Sequence, residues 1–270
     1  MHLITRNVNT LRTAVAVLGF VLLTGCTMPR YMVGLDTVLT EELGTDTPIV
    51  PDYPCTIGAH RGDSIAYTEN TLEAIASARA NTGVAFVEFD VQYSADNKVV
   101  VFHDKRLLRV FGRMNAVGAT TYDKLRKMSQ GEIATYEQII DVAEGKKVNI
   151  EIKSQGDANE DRMLADFIVT DIKTRRIEKD VLISSISKDL VKYIKTTYPE
   201  LAVGQVFWIK ASTYAHFDFL TNGLYREAVD SRADYLMLHI ANLRNIENLI
   251  RLKPRDKTIV FWNFKDKMYV

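Results

Sequence analysis

Phe86-Val87-Glu88-Phe89-Asp90-Val91-Gln92-Tyr93-Ser94-Ala95-Asp96-Asn97-Lys98-Val99-Val100-Val101-Phe102-His103-Asp104 is the stretch on which the fold turns. A strand-like run carrying two carboxylates, a polar turn and a second run rich in β-branched residues ending in His-Asp read together as a β-hairpin. With Asp96-Asn97 as the turn, Ala95 pairs with Lys98, which sets Asp90 opposite His103; a slip of one or two residues leaves them neighbours. Glu88 and Asp90 lie two apart, so both side chains leave the strand on the same side.

On either side of this hairpin, short apolar runs alternate with amphipathic stretches. A brief strand is expected at 57–60 and a helix over 71–81 before it; after it come helices at 122–128 and 136–144 and a strand at 148–153. The strand at 148–153 puts Glu151 and Lys153 on one face and Val148, Ile150 and Ile152 on the other. Beyond it, helices at 163–174, 188–197, 224–231 and 245–252 are interleaved with strands at 181–185, 201–206, 235–238 and 258–262. Strands separated by helices of this length imply right-handed βαβ units and a parallel sheet, and their number favours a closed α/β barrel over an open sheet. In such a barrel the carboxyl ends of the strands share one mouth. Those ends are His60-Arg61, Glu88 and Asp90, Glu151 and Lys153, Ser184-Ser185, Gln205, His239 and Trp262-Asn263, every one polar or aromatic.

The chain has 270 residues, 47% of them hydrophobic, which is enough for a large core and excludes a disordered or low-complexity chain. Its 34 basic residues balance 34 acidic ones, and removing residues 1–25 takes away Arg6 and Arg12 but no acid. That balance excludes a nucleic-acid binder relying on a basic surface. In residues 1–25 the two arginines precede an apolar run, 13–23, that is short for a bilayer span and has the shape of a signal peptide. The run ends Leu23-Thr24-Gly25-Cys26, which resembles the lipobox of bacterial lipoproteins. The resemblance implies cleavage before Cys26, acylation of its sulfur and attachment to the cell envelope, with Thr27 after it leaning toward an outer membrane or periplasmic face. An ordinary secretory signal or a membrane anchor is the alternative. With Cys26 acylated, Cys55 has no partner and no intrachain disulfide is expected. Residues 26–54, with irregularly placed Pro and Gly, read as a tether, and 55–270 as the barrel domain.

Three carboxylates from two strands, Glu88, Asp90 and Glu151, form an oxygen-only group suited to a hard divalent ion, Mg²⁺ or Ca²⁺. Near them lie Arg61 and Lys153, which can hold phosphoryl oxygens and neutralise charge that builds in a transition state. Two histidines, His60 and His103, can divide the proton work between attacking and departing oxygens. Taken separately, each group has a plain structural reading: a strand-end pair bonding loop carbonyls for His60-Arg61, a solvated strand face for Glu88 and Asp90, a surface ion pair for Glu151 and Lys153. Their combination points to hydrolysis of a phosphodiester.

His60-Arg61-Gly62, Glu69-Asn70-Thr71, Glu88-Phe89-Asp90, His103-Asp104 and Glu151-Ile152-Lys153, in this order, resemble the glycerophosphodiester phosphodiesterase family, with Trp262-Asn263 matching a late aromatic motif. The resemblance implies a TIM-type (β/α)8 barrel and metal-dependent hydrolysis of glycerophosphodiesters to glycerol 3-phosphate and an alcohol. It further implies Glu88, Asp90 and Glu151 as metal ligands with Glu69 a further contributor, His60 and His103 as the acid/base pair, and Arg61, Lys153 and Trp262 at the substrate. A phospholipase D-like hydrolase of lysolipids uses the same site and is the alternative activity. Family members have Pro where this chain has Thr68, and Asp-Gly where it has Asp96-Asn97. They also continue past the tryptophan motif to an eighth strand, while this chain ends at Val270, so the barrel is expected to lack its last strand. That departure motivates a further reading, a catalytically inactive envelope lipoprotein.

Overall fold

The computed structural model describes residues 56–262, so the signal, the tether, Cys26, Cys55 and residues 263–270 lie outside the described residues. The chain enters through a two-residue strand β1 (Gly58–Ala59). It continues into helix α1 (Leu72–Ala80), which starts where the Thr71 side chain accepts a hydrogen bond from the Ala74 amide. The hairpin follows as β2 (Phe86–Tyr93) and β3 (Val99–Val101). Next come the short helices α2 (Leu108–Phe111), α3 (Tyr122–Met128) and α4 (Tyr136–Val142), the last opened by a capping box of Thr135 and Gln138. The remainder alternates strictly: β4 (Lys147–Ile152), α5 (Ala158–Arg175), β5 (Val181–Ser185), α6 (Lys188–Thr197), β6 (Ala202–Phe207), α7 (Asp218–Asp230), β7 (Tyr235–His239), α8 (Ile246–Leu252) and β8 (Thr258–Trp262).

The sheet order is β1-β2-β4-β5-β6-β7-β8 with every neighbour parallel, and β3 lies antiparallel on β2 as an appendage. The sheet curls: the His60 ring, just past β1, lies 6.2 Å from the Trp262 ring at the end of β8. Among the described residues no pairing joins β8 to β1, so the structure is a parallel α/β barrel left open along that seam. Both seam strands are half-buried, whereas β2, β5 and β6 are almost wholly buried.

Strand periodicity divides the side chains between two environments. Outward-facing Val87, Phe89, Val91, Ile150, Ile152, Ile183 and Val203 pack in one core with Leu164, Ile168 and Ile172 of α5 and Leu190 and Ile194 of α6. Each such side chain contributes about 1.5–3 kcal/mol by leaving water. Phe207, Leu236 and Leu238 form a second core with Leu224 and Tyr225 of α7 and Leu249 of α8. The inward-facing layer is polar. Register sets Glu88 beside Asn149, Asp90 beside Glu151, Glu151 beside Ser184, and Ser184 beside Gly204. Space is tight at Gly204, where a Cβ would stand 2.9 Å from the Met237 sulfur and that side chain would have to shift.

The hairpin register differs from the expected one by a residue. Val91 pairs with Val101 and Tyr93 with Val99, so Phe102 and not His103 sits opposite Asp90, its amide donating to the Asp90 carbonyl at 3.0 Å. The cause is the turn. Ser94 and Lys98 close a three-residue loop in which Asn97 takes a left-handed φ of 58°, a conformation Asn tolerates, instead of a two-residue turn at Asp96-Asn97. Two helices also begin earlier than expected. Asp157 accepts from the amides of Asn159 and Glu160 and so starts α5 at Ala158, and α7 starts at Asp218.

Candidate active site

The turn after β1 brings His60 and Arg61 over the β2 carboxylates. Arg61 has a left-handed backbone, φ 60°, which aims its amide at the Glu88 Oε2 atom, 2.8 Å away. The next residue must be Gly62: its φ is 76°, and a Cβ would lie 2.7 Å from the Ala74 backbone of α1. The Arg61 guanidinium then reaches Glu69 Oε1 at 2.8 Å and Asp90 Oδ2 at 3.4 Å. Asn70, also left-handed, holds Asp90 twice, donating from its amide to Oδ2 at 2.8 Å and accepting from the Asp90 backbone at 3.3 Å. On the other flank Lys153, just past β4, contacts Asp90 Oδ1 at 2.8 Å and Glu151 Oε1 at 2.5 Å.

Glu88, Asp90 and Glu151 thus converge, each offering an oxygen within 4.8 Å of the others. Their ionisation diverges. Burial pushes Glu88 well above the ordinary carboxylate range, and the charges of Asp90 and Glu151 push it further. Burial also raises Glu151, against the pull of Lys153. For Asp90 the burial penalty is outweighed by Lys153, His103 and Arg61, which hold it below the usual range. The Oε1 atom of Glu88 is buried without any hydrogen-bond partner. A buried acid driven upward by neighbouring acids and left with an orphan oxygen fits a bound cation, and three carboxylate oxygens suit a hard divalent one.

His60 Nε2 stands 3.8 Å from Glu88 Oε2, and burial together with the adjacent Arg61 lowers its pKa to about 4. His103 Nδ1 bonds Asp104 Oδ1 at 2.6 Å. Arg109, on α2, holds both Asp104 oxygens at 2.8 and 3.0 Å and both Glu69 oxygens at 2.8 and 2.6 Å. Its guanidinium therefore ties the loop after β1 to the segment after β3. Glu69, expected as a further metal contributor, is not one of the three converging acids; Arg61 and Arg109 engage its carboxylate and hold its pKa below the ordinary range despite burial. Of the other polar strand ends, Ser184 bonds Asn149, Ser185 the Ile152 carbonyl and Gln205 the Ile186 carbonyl, with the Gln205 Oε1 atom buried and unpaired.

Across the mouth, Trp208, His239 and Trp262 pack against one another with ring centroids 4.8, 5.1 and 5.2 Å apart. The Trp262 indole is fixed by donating to the Met237 carbonyl at 3.0 Å.

The model of the glycerophosphoryl diester phosphodiesterase family matches residues 60–267. The chain belongs to this family. Among solved structures it is similar to a glycerophosphodiester phosphodiesterase from Thermotoga maritima, at 28% identity and a TM-score of 0.60, over 79% of this chain and 88% of that one. Among curated relatives, a glycerophosphodiester phosphodiesterase of Caldanaerobacter subterraneus is 29% identical over 166 residues, 55% of this chain and 65% of the relative. A lysophospholipase D of Mus musculus is 39% identical over 79 residues, 29% of this chain and 24% of the relative. These two matches thus span from about a quarter to just under two thirds of the relatives' own length.

Within this glycerophosphoryl diester phosphodiesterase fold, sequence reasoning missed the clamping roles of Asn70, Asp104 and Arg109. Asn70 and Asp104 stand inside quoted motifs, and Asn was the residue type to expect at a left-handed position. Arg109 carries no local signal, because its partners are assigned only when two loops meet.

Proposed function

We propose that the protein hydrolyses glycerophosphodiesters, with a divalent cation, to glycerol 3-phosphate and an alcohol. The observation that carries this reading is the buried Glu88–Asp90–Glu151 cluster flanked by His60 and His103 and by the cations Arg61 and Lys153. Glu88, Asp90 and Glu151 would hold the cation, which when bound supplies Lewis acidity to the phosphoryl group. Arg61 and Lys153 are the side chains positioned to meet phosphoryl oxygens, and neither can contribute much until the acid cluster has another positive partner. His60, neutral near pH 7, can accept a proton from the attacking oxygen. Asp104, whose pKa lies below the ordinary range despite burial because Arg109 and His103 bond it, accepts from His103 Nδ1. With Nδ1 held there, His103 can give a proton from Nε2 to the departing alcohol only as the doubly protonated ring, whose charge the Asp104 carboxylate would balance.

His103→Ala is expected to lower kcat for release of glycerol 3-phosphate from glycerophosphocholine about 10²–10⁴-fold, and chelation to abolish turnover until Mg²⁺ or Ca²⁺ is returned. Turnover unchanged in both cases sinks the proposal. The aromatic and exposed Trp208 side of the mouth favours a second substrate, a lysolipid. The lysophospholipase D relative supports it, and rates on monoacyl and deacylated substrates separate the two readings. We place the protein at a bacterial envelope, held through lipidated Cys26 on an outer-membrane or periplasmic face, a placement supported by the Leu23–Cys26 pattern.

A further inference from the structure

Exposed apolar side chains gather around part of the barrel mouth. On one side Ile65, 82% exposed, and Tyr67 project from the loop after β1, and Leu108 and Met114 from the segment after β3. On the other side Trp208, 55% exposed, Tyr214 and Phe217 project from the connection between β6 and α7, and Phe219 from the first turn of α7, with the Phe217 and Phe219 rings stacked at 5.7 Å. The two groups flank the β8–β1 seam, where His60 meets Trp262. The loops after β4 and β5, opposite the seam, are polar apart from Ile186.

The first of these groups carries positive charge. Residues 105–114 include Lys105, Arg106, Arg109 and Arg113 and no acid. Lys105 and Arg106 donate to the backbone carbonyls of Ser154 and Met114, so their charges meet no carboxylate, and only Arg109 is spent on acids. The Lys105 bond and the Arg109 bonds to Glu69 also fix this segment at the mouth, since Ser154 follows β4 and Glu69 follows β1. In the aromatic group the Arg244 guanidinium lies over the Tyr214 ring at 5.7 Å. Aromatic and aliphatic tips interleaved with unneutralised Lys and Arg match a bilayer interface with anionic headgroups. Rings settle at headgroup depth there, and basic residues near the surface are drawn to anionic lipid. No helix among the described residues is long and apolar enough to cross a membrane.

We propose that this two-part rim docks the barrel mouth on an anionic lipid surface, so that substrate enters from the plane of the bilayer. The docking belongs to the barrel itself and is separate from any attachment through Cys26.

The chain carries two tryptophans, Trp208 and Trp262, and both stand at the mouth, so intrinsic fluorescence reports the rim wherever the N-terminus is held. The full chain is mixed with vesicles containing bromine-labelled lipid, either phosphatidylcholine alone or phosphatidylcholine with phosphatidylglycerol. Quenching is expected on the anionic vesicles and to be lost in high salt. A Phe217→Ser/Phe219→Ser double variant should lose the quenching, and Arg113→Glu should lose the preference for anionic vesicles. Both should keep wild-type circular dichroism and wild-type turnover of soluble glycerophosphocholine. Absence of quenching on anionic vesicles overturns the proposal, as does quenching that both folded variants retain. Equilibrium sedimentation showing a dimer that the Phe217→Ser/Phe219→Ser variant dissolves, without vesicle quenching, overturns it in favour of a second copy as the occupant.

Discussion

The two walls of the barrel are built from different interactions. Along β1 to β4 the inner wall is ionic and sealed: Asp90 is fully buried, and Arg61, Asn70 and Lys153 all hold it. Along β6 to β8 the mouth is aromatic and open, with Trp208 leaning on His239 and Trp262, and β8 half-buried. A buried ion whose partner is removed costs several kcal/mol, whereas one ring can replace another in an aromatic cluster for about 1 kcal/mol. Misplacement is therefore intolerable in the first wall and tolerable in the second. The ionic wall is where the chemistry is proposed, and the aromatic wall is where a role in substrate preference is proposed.

The largest expected contrast sets Glu88→Ala against Trp208→Ala. The first should lower kcat/KM for glycerophosphocholine about a thousandfold or more, the second only a few-fold. Comparable losses in steady-state assays would remove the division of labour. Arg109→Met tests whether the ionic wall depends on being tied together. Freeing Asp104 and Glu69 at once should lower kcat about 10–100-fold and move the histidine limb of the pH–rate profile, with partial rescue by Arg109→Lys. A wild-type pH profile in Arg109→Met would reduce its bonds to surface ion pairing.

How much of this was legible in the sequence follows the same line. Where a short β-branched run or an amphipathic helix is bounded by turn or capping residues, the limits of β5, α6 and β8 agree with the expected ones. The gathering of Glu88, Asp90 and Glu151 follows from period-two alternation on adjacent parallel strands, which the expected strands already contained. What could not be read depends on backbone conformation or on distant meetings. The left-handed Asn97 shifted the hairpin register by one residue, and Arg109 and Arg61 met Glu69 from other segments of the chain.

Smaller effects sharpen the contrast. Trp262→Phe should raise KM by a few-fold, about 0.5–1.5 kcal/mol, and leave kcat unchanged; a fall in kcat instead would move Trp262 into the chemical wall. The smallest effect concerns stability. Because the Glu88 pKa is raised on folding, metal-free protein should lose stability as pH climbs from the ordinary carboxylate range through the raised value. Glu88→Gln should flatten that slope and raise the metal-free Tm above pH 7 by a few degrees, about 1 kcal/mol, in calorimetry with chelator present. A lower Tm would mean that the Arg61 amide bond to Glu88 outweighs the crowding of acids.

The left-handed turn at Arg61 and Gly62 gives the ionic wall an address in the chain. By folding back on Glu88 it confines every group of that wall, His60 through Lys153, to one uninterrupted stretch, while the rings opposite come from residues 208–262. The two stretches meet at the mouth through ring contacts such as His60 with Trp262 and not through shared charges. Exchanging the connection between β6 and α7 for a foreign loop would therefore leave every residue of the ionic wall in place, since none of them lies in it.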